Sequence, residues 1–179
     1  MRKLIEATLV SLDGVVGSPE EWALPHWGQE NKDHSQAQLA DVDAFLLGRV
    51  TYEGFVKAWS QVSGDPYIDT INRLPKHVAS ASLREMTWNA TPITGDVAAE
   101  VARLKNQPGK AIMKYGTGQL DRTLISHGLI DEFLFSVFPM TVGSGLRLFE
   151  GIDTSGLNLE LTGTKTFANG IVQLRYVPR

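Results

Sequence analysis

The chain has 179 residues, 42% of them hydrophobic and 21% charged, with a formal net charge of −3. That is enough chain to bury a sizeable core, and without any Lys/Arg-rich run it lacks the electrostatic footprint of a nucleic-acid or anionic-membrane binder. It contains no cysteine, which excludes disulfides, thiolate metal sites and cysteine nucleophiles and suits a reducing cytoplasm.

Met1-Arg2-Lys3-Leu4 carries charge without a following apolar region, since Glu6, Ser11 and Asp13 interrupt it. Neither a signal peptide nor a membrane span is expected. Leu4 to Leu12 reads as a first strand in which only Glu6 is charged. Ser11-Leu12-Asp13-Gly14 ends it. Asp13 stands there as a proton donor, a substrate hydrogen-bond partner or a turn residue. Gly14 to His26 is expected to be an irregular loop. With Trp27 just beyond it, it carries two large aromatics, Trp22 and Trp27, that cover either the core or a ligand.

Gln29 to Ala40 is polar with helical bias. Ala44 to Leu47 reads as a buried strand stopping at Gly48-Arg49, and Thr51 is expected to cap a helix from Tyr52 to about Trp59. Pro66 opens a short helix over 67–72. Lys76 to Ser80 reads as a third strand, and Met86 to Ile93 as a weaker one around Trp88. Asp96 is expected to cap a helix in which Val97, Val101 and Leu104 recur at helical spacing.

Ala111-Ile112-Met113 is a short apolar run with the length of a buried strand. Gly116-Thr117-Gly118 breaks it, and Leu120, Leu124 and Ile125 then fall at helical spacing before Gly128. Ile130 to Val142 reads as a long central strand ended by Pro139. Leu157, Leu159 and Leu161 alternate with polar residues, Asn169-Gly170 signals a tight turn, and Val172, Leu174 and Tyr176 alternate on the return. The predicted architecture is α/β and three-layered. A mostly parallel central sheet has helices on both faces and a C-terminal antiparallel hairpin, as a single domain over 1–179.

In an open parallel sheet, ligands bind beyond the carboxyl ends of the strands. Three groups are predicted to fall there: Gly48-Arg49-Val50-Thr51, Ser80, and Gly116-Thr117-Gly118. Backbone amides at a helix N-terminus favour anions, and Arg49 is a fixed cation suited to phosphate. Together they suit a ligand with several phosphates, such as a dinucleotide. The fingerprints G-x-G-x-x-G, Walker A and G-x-S-x-G are absent. His26, His34, His77 and His127 have no metal-ligand spacing on a common face, so no metal site is expected.

Four segments, read in order, resemble the dihydrofolate reductase-like superfamily, especially the branch of the reductase domain of bacterial riboflavin biosynthesis. They are Ser11-Leu12-Asp13-Gly14, Leu47-Gly48-Arg49-Val50-Thr51-Tyr52-Glu53, Lys114-Tyr115-Gly116-Thr117-Gly118, and the run from Val142 through Gly143-Ser144-Gly145 to Phe149. The resemblance implies a cytoplasmic, homodimeric oxidoreductase. Its cofactor would be NADPH, with NADH as the lesser alternative, and its substrate a small pterin- or pyrimidine-like molecule. In the riboflavin branch the activity is that of a 5-amino-6-(5-phosphoribosylamino)uracil reductase. It further implies that Arg49 and Thr51 meet nucleotide phosphates, that Ser80 sits at the adenosine end, and that Gly116, Thr117, Gly118, Gln119 and Leu120 hold the pyrophosphate. The loop from Asp13 to Trp27, with Trp22 and His26, would cover nicotinamide and substrate. Dihydrofolate reductases carry an acid just after a Trp-x-Leu-Pro segment. Here Trp22-Ala23-Leu24-Pro25 is followed by His26. Dihydrofolate reductase proper and a non-catalytic nucleotide-binding module are the two rival readings.

Overall fold

The computed structural model describes residues 1–83 and 85–179. Continuous apolar runs form strands buried on both faces, and the alternation within each run sends its side chains to opposite layers. The strands are β1 (Leu4–Ser11), β2 (Val42–Gly48), β3 (Lys76–Ala79), β4 (Ala90–Ile93), β5 (Ala111–Tyr115), β6 (Glu132–Phe138), β7 (Leu159–Thr166) and β8 (Val172–Pro178). They form one eight-stranded sheet in the order β4-β3-β2-β5-β1-β6-β8-β7. The first six run parallel, and β8 pairs antiparallel with both β6 and β7. The helices are α1 (Pro19–Trp22), α2 (Gln29–Leu39), α3 (Arg49–Trp59), α4 (Pro66–Arg73), α5 (Val97–Asn106) and α6 (Gln119–Ser126). The three-layer α/β architecture with its terminal hairpin is as the sequence predicts.

On one face, Phe45, Leu47 and Met113 pack against Leu39 of α2, Tyr52 of α3 and Ile71 of α4. On the other, Leu4, Leu46, Ile112 and Phe133 pack against Val101 and Leu104 of α5 and Leu124 of α6. A third cluster joins Ala23, Phe138, Phe167 and Ile171, with Trp22 and Trp27 laid against it. No described helix is long and apolar enough to cross a membrane.

Local chemistry explains several boundaries. The Asp96 side chain accepts from Ala99 N at 3.1 Å and starts α5, and Asp65 accepts from Tyr67 N and Ile68 N to start α4. At the hairpin, Phe167 N donates to Ile171 O, with Gly170 at φ +85°.

Four expectations are corrected. Thr51 does not cap α3: the chain enters the helix from extended backbone at Gly48, which puts Arg49 and Thr51 in the first turn. The strand expected over Met86–Ile93 is confined to Ala90–Ile93, because Trp88 and Asn89 take positive φ of 60° and 53°. That turn lets the Trp88 indole donate to Asn72 Oδ1 at 2.7 Å beneath the buried Lys76 ammonium, 4.0 Å from the ring centroid. The long strand from Ile130 to Val142 is only Glu132–Phe138, with Pro139 next in sequence. The stretch from Gly14 to His26 is not wholly irregular, since Pro19 opens α1 and Leu24–His26 forms a 3₁₀ turn.

Candidate functional site

β3, β2, β5 and β1 are consecutive in the sheet, so Ser80, Gly48–Thr51, Gly116–Leu120 and Ser11–Asp13 emerge side by side at their carboxyl ends. A Cβ on Gly116 would stand 4.0 Å from Thr51 Oγ1, and one on Gly48 would stand 4.0 Å from Leu120 Cβ. The turns after β2 and β5 are therefore in contact. Gly116 has φ +75°, which L side chains rarely adopt, and a Cβ on Gly118 would meet nothing within 4 Å. The space beside Gly118 is open to a ligand.

Gln119 and Leu120 lie in the first turn of α6, where backbone N–H groups have no intrahelical acceptor. The Gly118 N–H is different: it donates to Asp121 Oδ2 at 2.6 Å. Arg49 is half-exposed and pairs with Glu53 at 3.0 Å. A solvent-facing pair of this kind is weak, so the guanidinium is free to exchange Glu53 for a phosphate. Ser80 Oγ accepts from Ser82 N and Leu83 N, which rounds the turn after β3.

The segments expected on the cofactor side are thus brought together, and Asp13 is engaged as an acceptor. Ser11 Oγ donates to it at 2.6 Å, and Val142 N and Gly143 N donate at 3.0 and 2.8 Å. These bonds, the serine first, pull its carboxyl down to about 2. Asp13 is a fixed carboxylate that ties the end of β1 to the loop after β6. Arg147 adds a bond to the Asp13 carbonyl.

Trp22 and Trp27 cover the core. Their rings lie 5.4 and 5.8 Å from that of Phe138, and Trp22 Nε1 donates to Gly17 O at 2.8 Å. His26 is exposed, and its carbonyl accepts from Asn169 Nδ2. Leu12, Leu24, Val50 and Leu146 are exposed apolar side chains, and they all lie in segments that follow or cover the carboxyl strand ends. They give the region an apolar rim. Among the described residues no cluster of His, Cys, Asp and Glu could hold a metal ion. A cleft of about 190 Å³ opens elsewhere, against the β7–β8 hairpin. Its cations are already engaged, Lys165 with Glu30 and Arg175 with Glu132.

A buried charged network lies directly beneath the Gly116–Gly118 loop and is not among the predicted site residues. Glu6 on β1, Lys114 on β5 and Asp121 on α6 are all buried, as is Thr8. Lys114 Nζ lies 2.8 Å from Asp121 and 3.7 Å from Glu6. The ammonium therefore pairs with Asp121. Burial pushes the Glu6 carboxyl up to about 8, an effect that Lys114 only partly offsets. The visible signal was a charge inside each of two apolar strand runs. Their opposition follows from the β1–β5 pairing, in which Glu6 faces Lys114 in register.

The family model of the RibD C-terminal domain matches residues 2–173. Two curated Bacillus subtilis proteins are similar over nearly the whole chain. The uncharacterised protein YyaP is 30% identical, covering 98% of this chain and 94% of its own. The uncharacterised protein YwjB is 33% identical, covering 98% of each. Among solved structures, the chain is similar to a Thermotoga maritima diaminohydroxyphosphoribosylaminopyrimidine deaminase/5-amino-6-(5-phosphoribosylamino)uracil reductase (TM-score 0.67, 14% identity), covering 99% of this chain and 57% of that one. It is also similar to a dihydrofolate reductase from Enterococcus faecalis complexed with NADP(H) (TM-score 0.61, 16% identity), covering 99% of this chain and 96% of that one. At these identities the two structures show a shared fold.

Proposed function

The chain belongs to the RibD C-terminal domain family, and from that premise we propose that it is a cytoplasmic NADPH-dependent reductase of a small heterocycle, pyrimidine- or pterin-like. The observation that carries this is the convergence on adjacent strand ends of Ser80, Arg49 with Thr51, and the glycine loop that leads into the Gln119 and Leu120 amides. The donor set fits the cofactor: amides and a hydroxyl for a pyrophosphate, and a detachable guanidinium for a terminal phosphate. Arg49 favours a 2′-phosphate and hence NADPH. Ser80 is followed by uncharged Ala81, so NADH remains the lesser alternative.

Bound nicotinamide supplies the hydride. The chain positions it and excludes water. Gln119 and Leu120 N–H hold the pyrophosphate at the head of α6, and Thr51 closes the turn beside it. The segment carrying Trp22, His26 and Trp27 covers the substrate side, with its aromatic rings anchored on Phe138. Asp13, held ionised, fixes the loop at Val142 and Gly143. The substrate's proton then comes from water.

One observation disfavours folate reduction. His26 follows Trp22-Ala23-Leu24-Pro25, and the next acid, Glu30, is spent on Ala168 N at 2.9 Å and on Lys165. The absence of an available acid favours the non-catalytic module as the second reading. Fluorescence titration decides first whether the cofactor binds. Wild type is expected to bind NADPH, and Arg49→Ala to weaken it about tenfold, the scale of one lost charge-assisted hydrogen bond. Equal affinity of the two proteins would sink the assignment. Oxidation of NADPH across pyrimidines and pterins then separates enzyme from binding module, and a methotrexate titration isolates the folate case.

A homodimer belongs to the proposal. β6 lies between β1 and β8, and its phenylalanines are consumed by the core. The edge strand β7, with Leu161 half-exposed, is the candidate surface. Light scattering is expected to give twice the chain mass, and Leu161→Lys to return the monomer.

A further inference from the structure

Each residue of the glycine loop is gripped by a different member of the buried network. Lys114 Nζ donates to the Gly116 carbonyl. Thr117 Oγ1 donates to Glu6 Oε1 at 2.6 Å. Gly118 N donates to Asp121 Oδ2 at 2.6 Å. Thr8 Oγ1 completes the contact, 3.0 Å from Thr117 Oγ1. The loop's backbone orientation, and with it the aim of the amides that open α6, is set from below by three ionisable side chains.

The network does not close as three charges. Two carboxylates against one ammonium leave a net negative charge in the interior, which is costly. Asp121 Oδ1 lies 2.8 Å from the Lys114 ammonium, but Glu6 Oε2 is buried with no hydrogen-bond partner and the same ammonium 3.7 Å away. Both carboxyls thus converge on the one Lys114 ammonium. A single proton placed between the two carboxyls removes the excess charge and supplies the missing donor.

We propose that Glu6 and Asp121 share one proton, and that this acid–carboxylate pair, with Lys114, is the positioning unit that holds the Gly116–Gly118 loop and so aims the Gln119 and Leu120 amides at an anionic ligand. The identity of that ligand as the pyrophosphate of NADPH rests on the function proposed above; the shared proton does not. Among the described residues no other charge bears on Glu6 beyond Lys114 and Asp121. α5 packs on the same side with Val101 and Leu104 inward, while its Arg103 and Lys105 are bound to Glu100 and Asp131. The loop after β6 contributes Leu148 and Phe149, and the β6 residue in register with Glu6 is Phe133.

Loss of the proton has two effects of the same sign. It places a second buried negative charge under the anion site, and it sets two carboxylates against each other where the loop is held. Affinity for an anion therefore falls as pH rises through the Glu6 titration, and folding stability falls with it. The sign follows from proton counts. The folded state holds a proton on Glu6 that the unfolded chain releases near 4.5. Glu6 thus contributes fully below that pH, and its contribution is lost as pH rises toward about 8.

Two measurements test this. In ligand-free protein labelled with ¹³C at glutamate side-chain carboxyls, Glu6 (assigned by its absence in Glu6→Gln) is expected to titrate above neutrality. NADPH affinity of wild type, followed by fluorescence, is expected to fall about tenfold between about pH 7 and about pH 9.5. Glu6→Gln, fixed in the neutral form, is expected to lose that pH dependence, and Asp121→Asn to bind weakly throughout. A Glu6 carboxyl titrating in the ordinary range, or a Glu6→Gln variant with the wild-type pH profile, overturns the proposal. If wild type binds no NADPH at any pH, the cofactor assignment falls, and the carboxyl titration alone decides the shared proton.

Discussion

Lys114→Met is expected to cost about 3–5 kcal/mol of folding stability, the range for breaking a buried ion pair from one side. For a chain of this length that lowers Tm by roughly 10 °C. The ammonium is buried, bonded to Asp121 and to the Gly116 carbonyl. Methionine matches its stem but leaves Asp121 as an uncompensated buried charge and the carbonyl without its donor. The double variant Lys114→Met/Asp121→Asn separates that charge from simple loss of packing. Asparagine keeps an oxygen for Gly118 N and removes the charge, so the double variant is expected to be more stable than Lys114→Met alone. Urea denaturation of the two single variants and the double variant reads this coupling directly. Additive losses would show that the charge is not the cause.

That network also marks where legibility in the sequence ended. The central strands were readable because they are local apolar runs whose two faces are both buried, as in Phe45 and Leu47 against Leu46. Caps were readable where a short polar side chain satisfies nearby amides, as at Asp96. Thr51 misled for the same reason: a hydroxyl suited to capping sits one turn late, because Gly48 lets the chain enter α3 directly from β2. Trp88 has the local preference of a strand residue, but its turn conformation is dictated by Asn72 and Lys76, partners that only the folded chain supplies.

The candidate site divides along the same line. The glycine turns and Arg49 could be found because phosphate chemistry has local signatures. Asp13 could not be assigned: Ser11, the first cause of its lowered carboxyl, is a neighbour, but the amides at Val142 and Gly143 that complete its bonding lie far along the chain. In the sequence Glu6 is the one charge in its strand run and Lys114 follows a short apolar run; only parallel pairing puts them in register. Each is unfavourable alone inside a sheet, and their neighbour on α6 adds a second buried carboxylate, a charge balance that no local pattern reveals.

Phe138→Ala tests the other wall of the site, and a loss of about 3–5 kcal/mol is expected, the usual cost of emptying a buried phenylalanine position. The ring is wholly buried at the carboxyl end of β6. Trp27 stacks on it, Trp22 meets it edge-on, and Phe167 and Ile171 of the hairpin belong to the same cluster. One ring thus anchors the segment after β1 to both the sheet and the hairpin. The start of that segment is tied to the loop after β6, with Val16 N and Gly17 N donating to the Leu146 carbonyl; beyond Gly17, Asn169 Nδ2 donates to the His26 carbonyl. Truncating Phe138 is therefore expected to loosen the cover before it unfolds the chain. Hydrogen exchange should rise first beyond Gly17, up to Gly28, while β5 and α6 stay protected. NADPH affinity, set at the opposite wall by Arg49 and the α6 amides, is expected to hold at temperatures where the variant stays folded, while any turnover falls through poorer exclusion of water. Phe138→Leu, which refills most of the volume, is expected to recover most of the stability. Uniform exchange across the chain would show that Phe138 supports the whole core, with no separate part in holding the cover over the site.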